Sequence, residues 1–404
     1  MKKPLSPIGI VYLLFSVGMA AMMLSLVLSG GEFLEKVVYD FSYFVDFFDH
    51  IRRFYMNLGI VYEEGMHASF PPLAYLLYYL VSCVLYKENV ENPDGLNQSA
   101  SGMLVFCMLL VMFTVAFLCV FLNFCLLKSQ GMKEWLAFML LISYPFWLAI
   151  ERGNMTLLVL LILMLAMVWM DSEKKWQREL ALILFAIAAG LKLYPAIFGA
   201  LYLAEKRYKE AGRLIIYGLF FFFAPFSFFH GLEGFRIFYR NISAVGSGAT
   251  GVTIVGLAGR IAEKLGMSLT WGHAVGRGLS YLYFVIVLFF CFGVKRSWKT
   301  ILLLTSLMIV FVAASGTYCL IYSVIPFVCF LNEIEEKKNY IVMDYIYAVL
   351  FSMVFMAYPI RALGSSGMLY ISLYLLLAVV MADECIYLIR HWYRCRRKYT
   401  FGGR

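Results

Sequence analysis

The chain has 404 residues, 63% hydrophobic, 18% aromatic and only 15% charged, with a mean hydropathy of +0.81. That composition excludes an ordinary soluble globular domain and predicts a polytopic membrane protein. The net charge of +9 does not mark a nucleic-acid binder, because Lys and Arg fall at the ends of apolar runs, where they set orientation.

Apolar stretches run roughly over 8–29, 102–127, 135–150, 155–170, 214–230, 274–294, 300–314, 317–332, 339–360 and 367–389. Two more, 70–86 and 179–203, carry internal polar breaks and read as re-entrant. The predicted fold class is therefore all-α: a polytopic transmembrane helical bundle of about ten spans plus two re-entrant segments, one integral domain over 1–404. The first run follows Met1–Lys3 and lacks a small-residue cleavage site, so it reads as a retained helix and not a signal peptide. The nine cysteines sit mostly inside apolar runs with no CxxC pair, which argues against a disulfide framework or a zinc site. No metal or cofactor is expected.

With both broken segments re-entrant, most of the 34 Lys and Arg residues collect on one side, together with both chain ends. That side is the cytoplasm by the positive-inside rule. The opposite face then carries a first outer loop over 30–101, the turn at Glu151–Asn154, the break at Lys192–Pro195 and a second outer loop over 231–272.

The first outer loop holds Asp40, Asp46 and Asp49 within ten residues. A short interfacial helix over 45–57 would put Asp46 and Asp49 on one face, beside His50 and Arg53. Those acids fit a solvated amphipathic helix as well as a catalytic carboxylate. Phe70-Pro71-Pro72-Leu73 then fixes entry into the next apolar run.

Glu151-Arg152-Gly153-Asn154 interrupts an apolar region with a tight turn, and Arg152 there could hold an anionic group. A lysine inside an apolar stretch costs several kcal/mol unless it is paired or reaches water, which singles out Lys192 in the break GLKLYP. The alternative is a lysine snorkelling to the interface. The second outer loop offers Arg236, Arg240 and Arg260 around a small-residue run, bordered by His230 and His273. Walker, GxGxxG, HExxH and GxSxG patterns are missing, so nucleotide hydrolysis, dinucleotide redox and familiar hydrolase chemistry have no foothold.

Four segments in order, the acidic first loop, FPPLAYLLY, ERGNMTLLVLLIL and GLKLYPAIFGALYLAEKRYK, resemble the GT-C superfamily of integral membrane glycosyltransferases. The nearest likeness is to polyprenyl-phosphate-mannose-dependent α-mannosyltransferases. The residues that carry it are Asp46 or Asp40, Tyr62, Phe70-Pro71-Pro72-Leu73, Gly153-Asn154 and Lys192-Leu193-Tyr194-Pro195. The chain departs from the pattern at Phe70, where Tyr is usual, and has no DxD or ExD pair in its first loop.

The resemblance implies inverting transfer of a hexose, mannose by analogy, from a polyprenyl-phosphate carrier to a lipid or glycan acceptor on the extracytoplasmic face. It implies Asp46 as general base, with Asp40 and Asp49 as alternatives. Lys192, Arg152, Arg260 and Arg240 become candidate cations for the donor phosphate, and Tyr62, Tyr194, Asn154 and His67 candidate substrate contacts. The single-domain build, with no N-terminal targeting sequence, suggests a bacterial plasma membrane. The competing reading is a transporter or flippase of a lipid-linked or anionic solute, with Lys192 and Arg152 lining its path.

Overall fold

The computed structural model describes residues 5–33, 44–52, 57–63, 68–85, 99–245, 249, 251–294, 296–312, 315–356 and 370–401. Asp40, Arg53 and His67 lie outside the described residues, as do 86–98 and 357–369. Every regular element among the described residues is helical.

Among the described residues six helical segments are long and apolar enough to cross a membrane: Pro7–Leu28, Ala100–Phe124, Tyr208–Phe228, Leu269–Gly293, Thr317–Glu336 and Ile371–Arg390. A seventh span exists if Gln130–Leu141 and Tyr144–Arg152, bent by 49°, count as one. The bend falls at Ser143-Tyr144-Pro145, where proline starts a new helix because it has no N–H to give the old one. Shorter apolar helices fill the remainder, among them Thr156–Trp169, Trp298–Phe311 and Val342–Phe355. The protein is a multi-pass helical membrane protein.

In chain order we label α1 (Pro7–Leu28), α2 (Val45–Arg52), α3 (Pro72–Ser82), α4 (Ala100–Phe124), α5 (Gln130–Leu141), α6 (Tyr144–Arg152), α7 (Thr156–Trp169) and α8 (Lys175–Leu191). After them come α9 (Gly199–Ala204), α10 (Tyr208–Phe223), α11 (Leu232–Val245), α12 (Ile254–Lys264) and α13 (Leu269–Gly293). The last are α14 (Trp298–Ser306), α15 (Val324–Glu336), α16 (Val342–Phe355) and α17 (Ile371–Phe401). Hydroxyls start several of them: Ser6 accepts from Gly9 N at 3.1 Å and Ser99 from Gly102 N at 3.0 Å. α3, with 11 residues, rises only about 16 Å and cannot cross a core of about 30 Å.

Two packed bodies of side chains organise the molecule. The larger is a core of rings and aliphatics, in which Phe15 stacks on Phe327 at 5.8 Å and Phe117 meets Phe146 at 5.0 Å. The smaller is an aromatic cluster that ties the first loop to α3 and α11, through Phe47, Phe48, Tyr62, Tyr75, Phe226 and Phe238. On α4, by contrast, Leu104, Met108, Val111 and Val115 stay exposed, as a lipid-facing stripe requires.

The segment over 231–272, expected as the second outer loop, is not a plain connection. It folds into α11 and α12, and α12 lies tightly on α13 through glycines. A Cβ on Gly272 would meet Gly259 Cα at 2.8 Å, and one on Gly276 would meet Val255 Cα at 2.7 Å. Small residues let these two backbones touch, as in membrane helix pairs generally.

Candidate functional site

The turn after α6 decides where the first loop sits. Gly153 closes the helix in the left-handed conformation, at φ 66°, which an L side chain adopts only at a cost. The first loop presses against it, since a Cβ there would lie 2.9 Å from Phe47 Cβ and 3.2 Å from the Phe44 carbonyl oxygen. Phe44 N also donates to the Glu151 carbonyl at 3.0 Å. This contact puts the second residue of α2 directly over the turn.

That residue is Asp46. Its Oδ1 ion-pairs with Arg152 Nε at 2.9 Å, and its Oδ2 accepts a hydrogen bond from Asn154 Nδ2 at 2.5 Å. Asn154 Oδ1 accepts from Thr156 N at 3.1 Å. An N–H can only donate, so the amide oxygen must face Thr156 and the NH₂ must face the carboxylate.

Lys192 approaches the same carboxylate from α8. It stands in extended backbone just past the helix end, outside the candidate spans, and is 6% exposed. Its Nζ lies 3.8 Å from the centre of the Phe70 ring and 5.8 Å from that of Tyr318. No ion pair or hydrogen bond to it occurs among the described residues, while Asp46 and Arg152 are within electrostatic reach. Burial brings this ammonium down from the ordinary lysine value to about 8.

The remaining expected residues fall into different surroundings. Asp49 lies on α2, half-buried. Tyr62, 1% exposed, donates its hydroxyl to the Phe70 carbonyl at 2.5 Å and so pins the entry to α3 from beneath. Tyr194 hydrogen-bonds Tyr322 at 3.1 Å and approaches Cys319 Sγ at 3.7 Å. Arg240 is exposed on α11. Arg260, on α12, donates to the Gly251 carbonyl and lies 5.5 Å from the Tyr370 ring centre. Arg152, a candidate for the phosphate, pairs with Asp46, and Asn154, a candidate substrate contact, bonds Asp46 and Thr156. Among the described residues no three His, Cys, Asp or Glu side chains converge as a metal site would need.

Two aromatic residues not anticipated from the sequence crowd the carboxylate. Tyr318 and Tyr78 are both electrostatic neighbours of Asp46. Tyr318 lies in the polar turn SGTYCLIYSVIP, and Tyr78 is one tyrosine among several in α3.

Beside this cluster opens an apolar groove of about 580 Å³ between α3, α4 and α7. Its walls are leucines, valines and phenylalanines, and its polar end is formed by Tyr78, Gly153 and Asn154. A second apolar groove, of about 500 Å³, runs behind Leu193 between α8, α10 and α13.

The family model described as Glycosyltransferase family 87 matches residues 69–314, more than half of the chain. The chain belongs to glycosyltransferase family 87. No curated protein matches it, and neither does any solved structure. The family's matched span takes in Arg152, Asn154, Lys192 and both grooves' principal walls, and begins after Asp46. As a family 87 member the protein is a membrane glycosyltransferase, with a sugar donor and an acceptor as its substrates.

Proposed function

We propose that this glycosyltransferase takes a hexose from a polyprenyl-phosphate carrier and passes it, with inversion, to an acceptor hydroxyl at the extracytoplasmic face of a plasma membrane. The observation that carries the proposal is a buried Lys192 with no ion pair or hydrogen bond among the described residues, within electrostatic reach of Asp46, whose partner Asn154 lines an apolar groove. A buried ammonium is costly without a counter-charge, so the pocket calls for an anion. The groove suits the hydrocarbon tail to which that anion is attached.

In this reading Asp46 removes the proton of the acceptor hydroxyl as its oxygen bonds to the anomeric carbon. The bond from that carbon to the phosphate oxygen breaks on the opposite face, and polyprenyl phosphate leaves with the electron pair. Arg152 and Asn154 hold the carboxylate aimed. Lys192 meets the charge that grows on the departing phosphate, an interaction worth most in the transition state.

The two ends of α8 support this choice of membrane side. At its start, Arg207 and Arg296 bind Asp171 and Glu205 in a network among strongly basic turns. Lys192 stands at its other end, about 25 Å away along 17 residues. The basic end belongs to the cytoplasm under the positive-inside rule, with both termini, in one integral domain.

The test is a transfer assay with radiolabelled polyprenyl-phosphate hexoses and purified protein in lipid nanodiscs. Label should pass to an acceptor with wild type and not with Asp46→Asn. Failure of every such donor, or normal turnover by the Asn variant, would overturn the proposal.

A further inference from the structure

Among the described residues the groove beside Asp46 has two polar side chains in its lining, Tyr78 and Asn154. Asn154 has both ends of its amide engaged, by Asp46 and Thr156. The Tyr78 hydroxyl is different: it is buried, with the residue 2% exposed, and has no hydrogen-bond partner among the described residues. Leaving a buried hydroxyl unmet costs free energy that a tightly packed protein normally avoids.

The ring is held firmly. It packs 5.2 Å from the His50 ring, 6.3 Å from Phe47 and 6.5 Å from Phe70. Tyr75, three residues earlier on the same face of α3, has its hydroxyl on His50 Nδ1 at 3.3 Å. So one phenol of this pair is satisfied inside the protein and the other is held unsatisfied at the polar end of the groove, next to Asp46.

We propose that Tyr78 is the hydrogen-bond donor to the phosphate of the lipid-linked sugar, at the point where its tail emerges from the α3–α4–α7 groove. This rests on the donor class proposed above. Lys192 supplies charge without direction, as an ammonium over the Phe70 ring does. Tyr78 supplies direction: a phenol O–H on a fixed ring can orient one phosphate oxygen and stay on it as negative charge builds during departure.

Tyr78→Phe removes the hydroxyl and keeps the ring. Hydrogen bonds to charged groups predict an about ten- to hundredfold fall in kcat/KM for the donor. Sugar-free polyprenyl phosphate, used as a competitive inhibitor, should lose affinity by a similar factor. The melting midpoint should stay level or rise, because an unmet buried hydroxyl has been removed. Tyr75→Phe is the contrasting variant: it breaks the contact to His50, so it should lower the melting midpoint while polyprenyl phosphate inhibition per folded molecule stays at the wild-type level. If Tyr78→Phe melts normally and polyprenyl phosphate inhibits it as it does wild type, the assignment of Tyr78 falls. Asp46→Asn, inactive but still inhibitor-binding in a fluorescence or calorimetric assay, shows that the wider reading survives that result; a wild type that polyprenyl phosphate does not inhibit removes the donor class itself.

Discussion

Gly153→Ala tests whether the close approach of the first loop to the α6 turn is what aims Asp46. A residue other than glycine at φ 66° costs about 1–2 kcal/mol. The new methyl would also sit 2.9 Å from Phe47 Cβ, 3.2 Å from the Phe44 carbonyl oxygen and 3.3 Å from Phe44 Cα. Two of these three atoms are backbone, so no side-chain rotation relieves them and the start of α2 must move. Overpacking of this kind costs a further ~1–3 kcal/mol. A displacement on the order of 1 Å at a reacting group lowers rates about 10²-fold. The expected result is a melting midpoint lower by several degrees and a transfer rate per folded molecule down about a hundredfold, measured in nanodiscs by fluorescence-detected unfolding and by product formation. Gly212→Ala is the control, because a Cβ there meets nothing within 4 Å and helical glycine is intrinsically unfavourable, by about 0.5–1 kcal/mol. It should keep wild-type activity and melt no lower. Wild-type turnover and stability in Gly153→Ala would refute the idea that this contact positions the carboxylate.

Asp46→Asn should fold normally and lose about 10²–10⁴-fold in turnover, the usual contribution of a general base, as read by radiolabel transfer. Lys192→Met should depress kcat/KM for the donor more than for the acceptor; an acceptor-side defect alone would count against a phosphate role. Because burial holds Lys192 near a pKa of about 8, its charge is present below that pH and lost above it, so donor kcat/KM should decline as pH rises through about 8. Lys192→Arg, which stays charged, should keep that limb flat to higher pH. At the far end of α8, Arg207→Met removes contacts to Glu210, Glu205, Asp171 and the Met170 carbonyl. It should lower stability by about 1–3 kcal/mol in thermal unfolding while donor KM stays unchanged.

The secondary structure was largely legible from hydropathy, because in a bilayer every backbone N–H and C=O must be bonded within the segment, and only helices do this for a single stretch. Two breaks were legible too, at Gly153 and Pro195, where the backbone cannot continue a helix, whereas the bend at Pro145 falls inside the run 135–150, which reads as continuous. The loop over 231–272 was harder to read. Its helices α11 and α12 are amphipathic and short, so they lack the long apolar run that flags a span.

Asp46, Arg152, Asn154 and Lys192 could each be picked from the sequence, since each is a polar group set in apolar surroundings that must have a reason to be there. Their division of labour could not. That Arg152 turns to Asp46, that Asn154 bridges the carboxylate to the start of α7, and that Tyr62 spends its hydroxyl on Phe70 depend on contacts between segments up to 108 residues apart. Tyr75 and Tyr78 make the point most sharply. Three residues apart on one helix they are indistinguishable by pattern, yet packing gives one hydroxyl to His50 and leaves the other at the mouth of the groove. Hydropathy is a sum over neighbours in the chain, whereas the partner of a buried polar atom is chosen by neighbours in space.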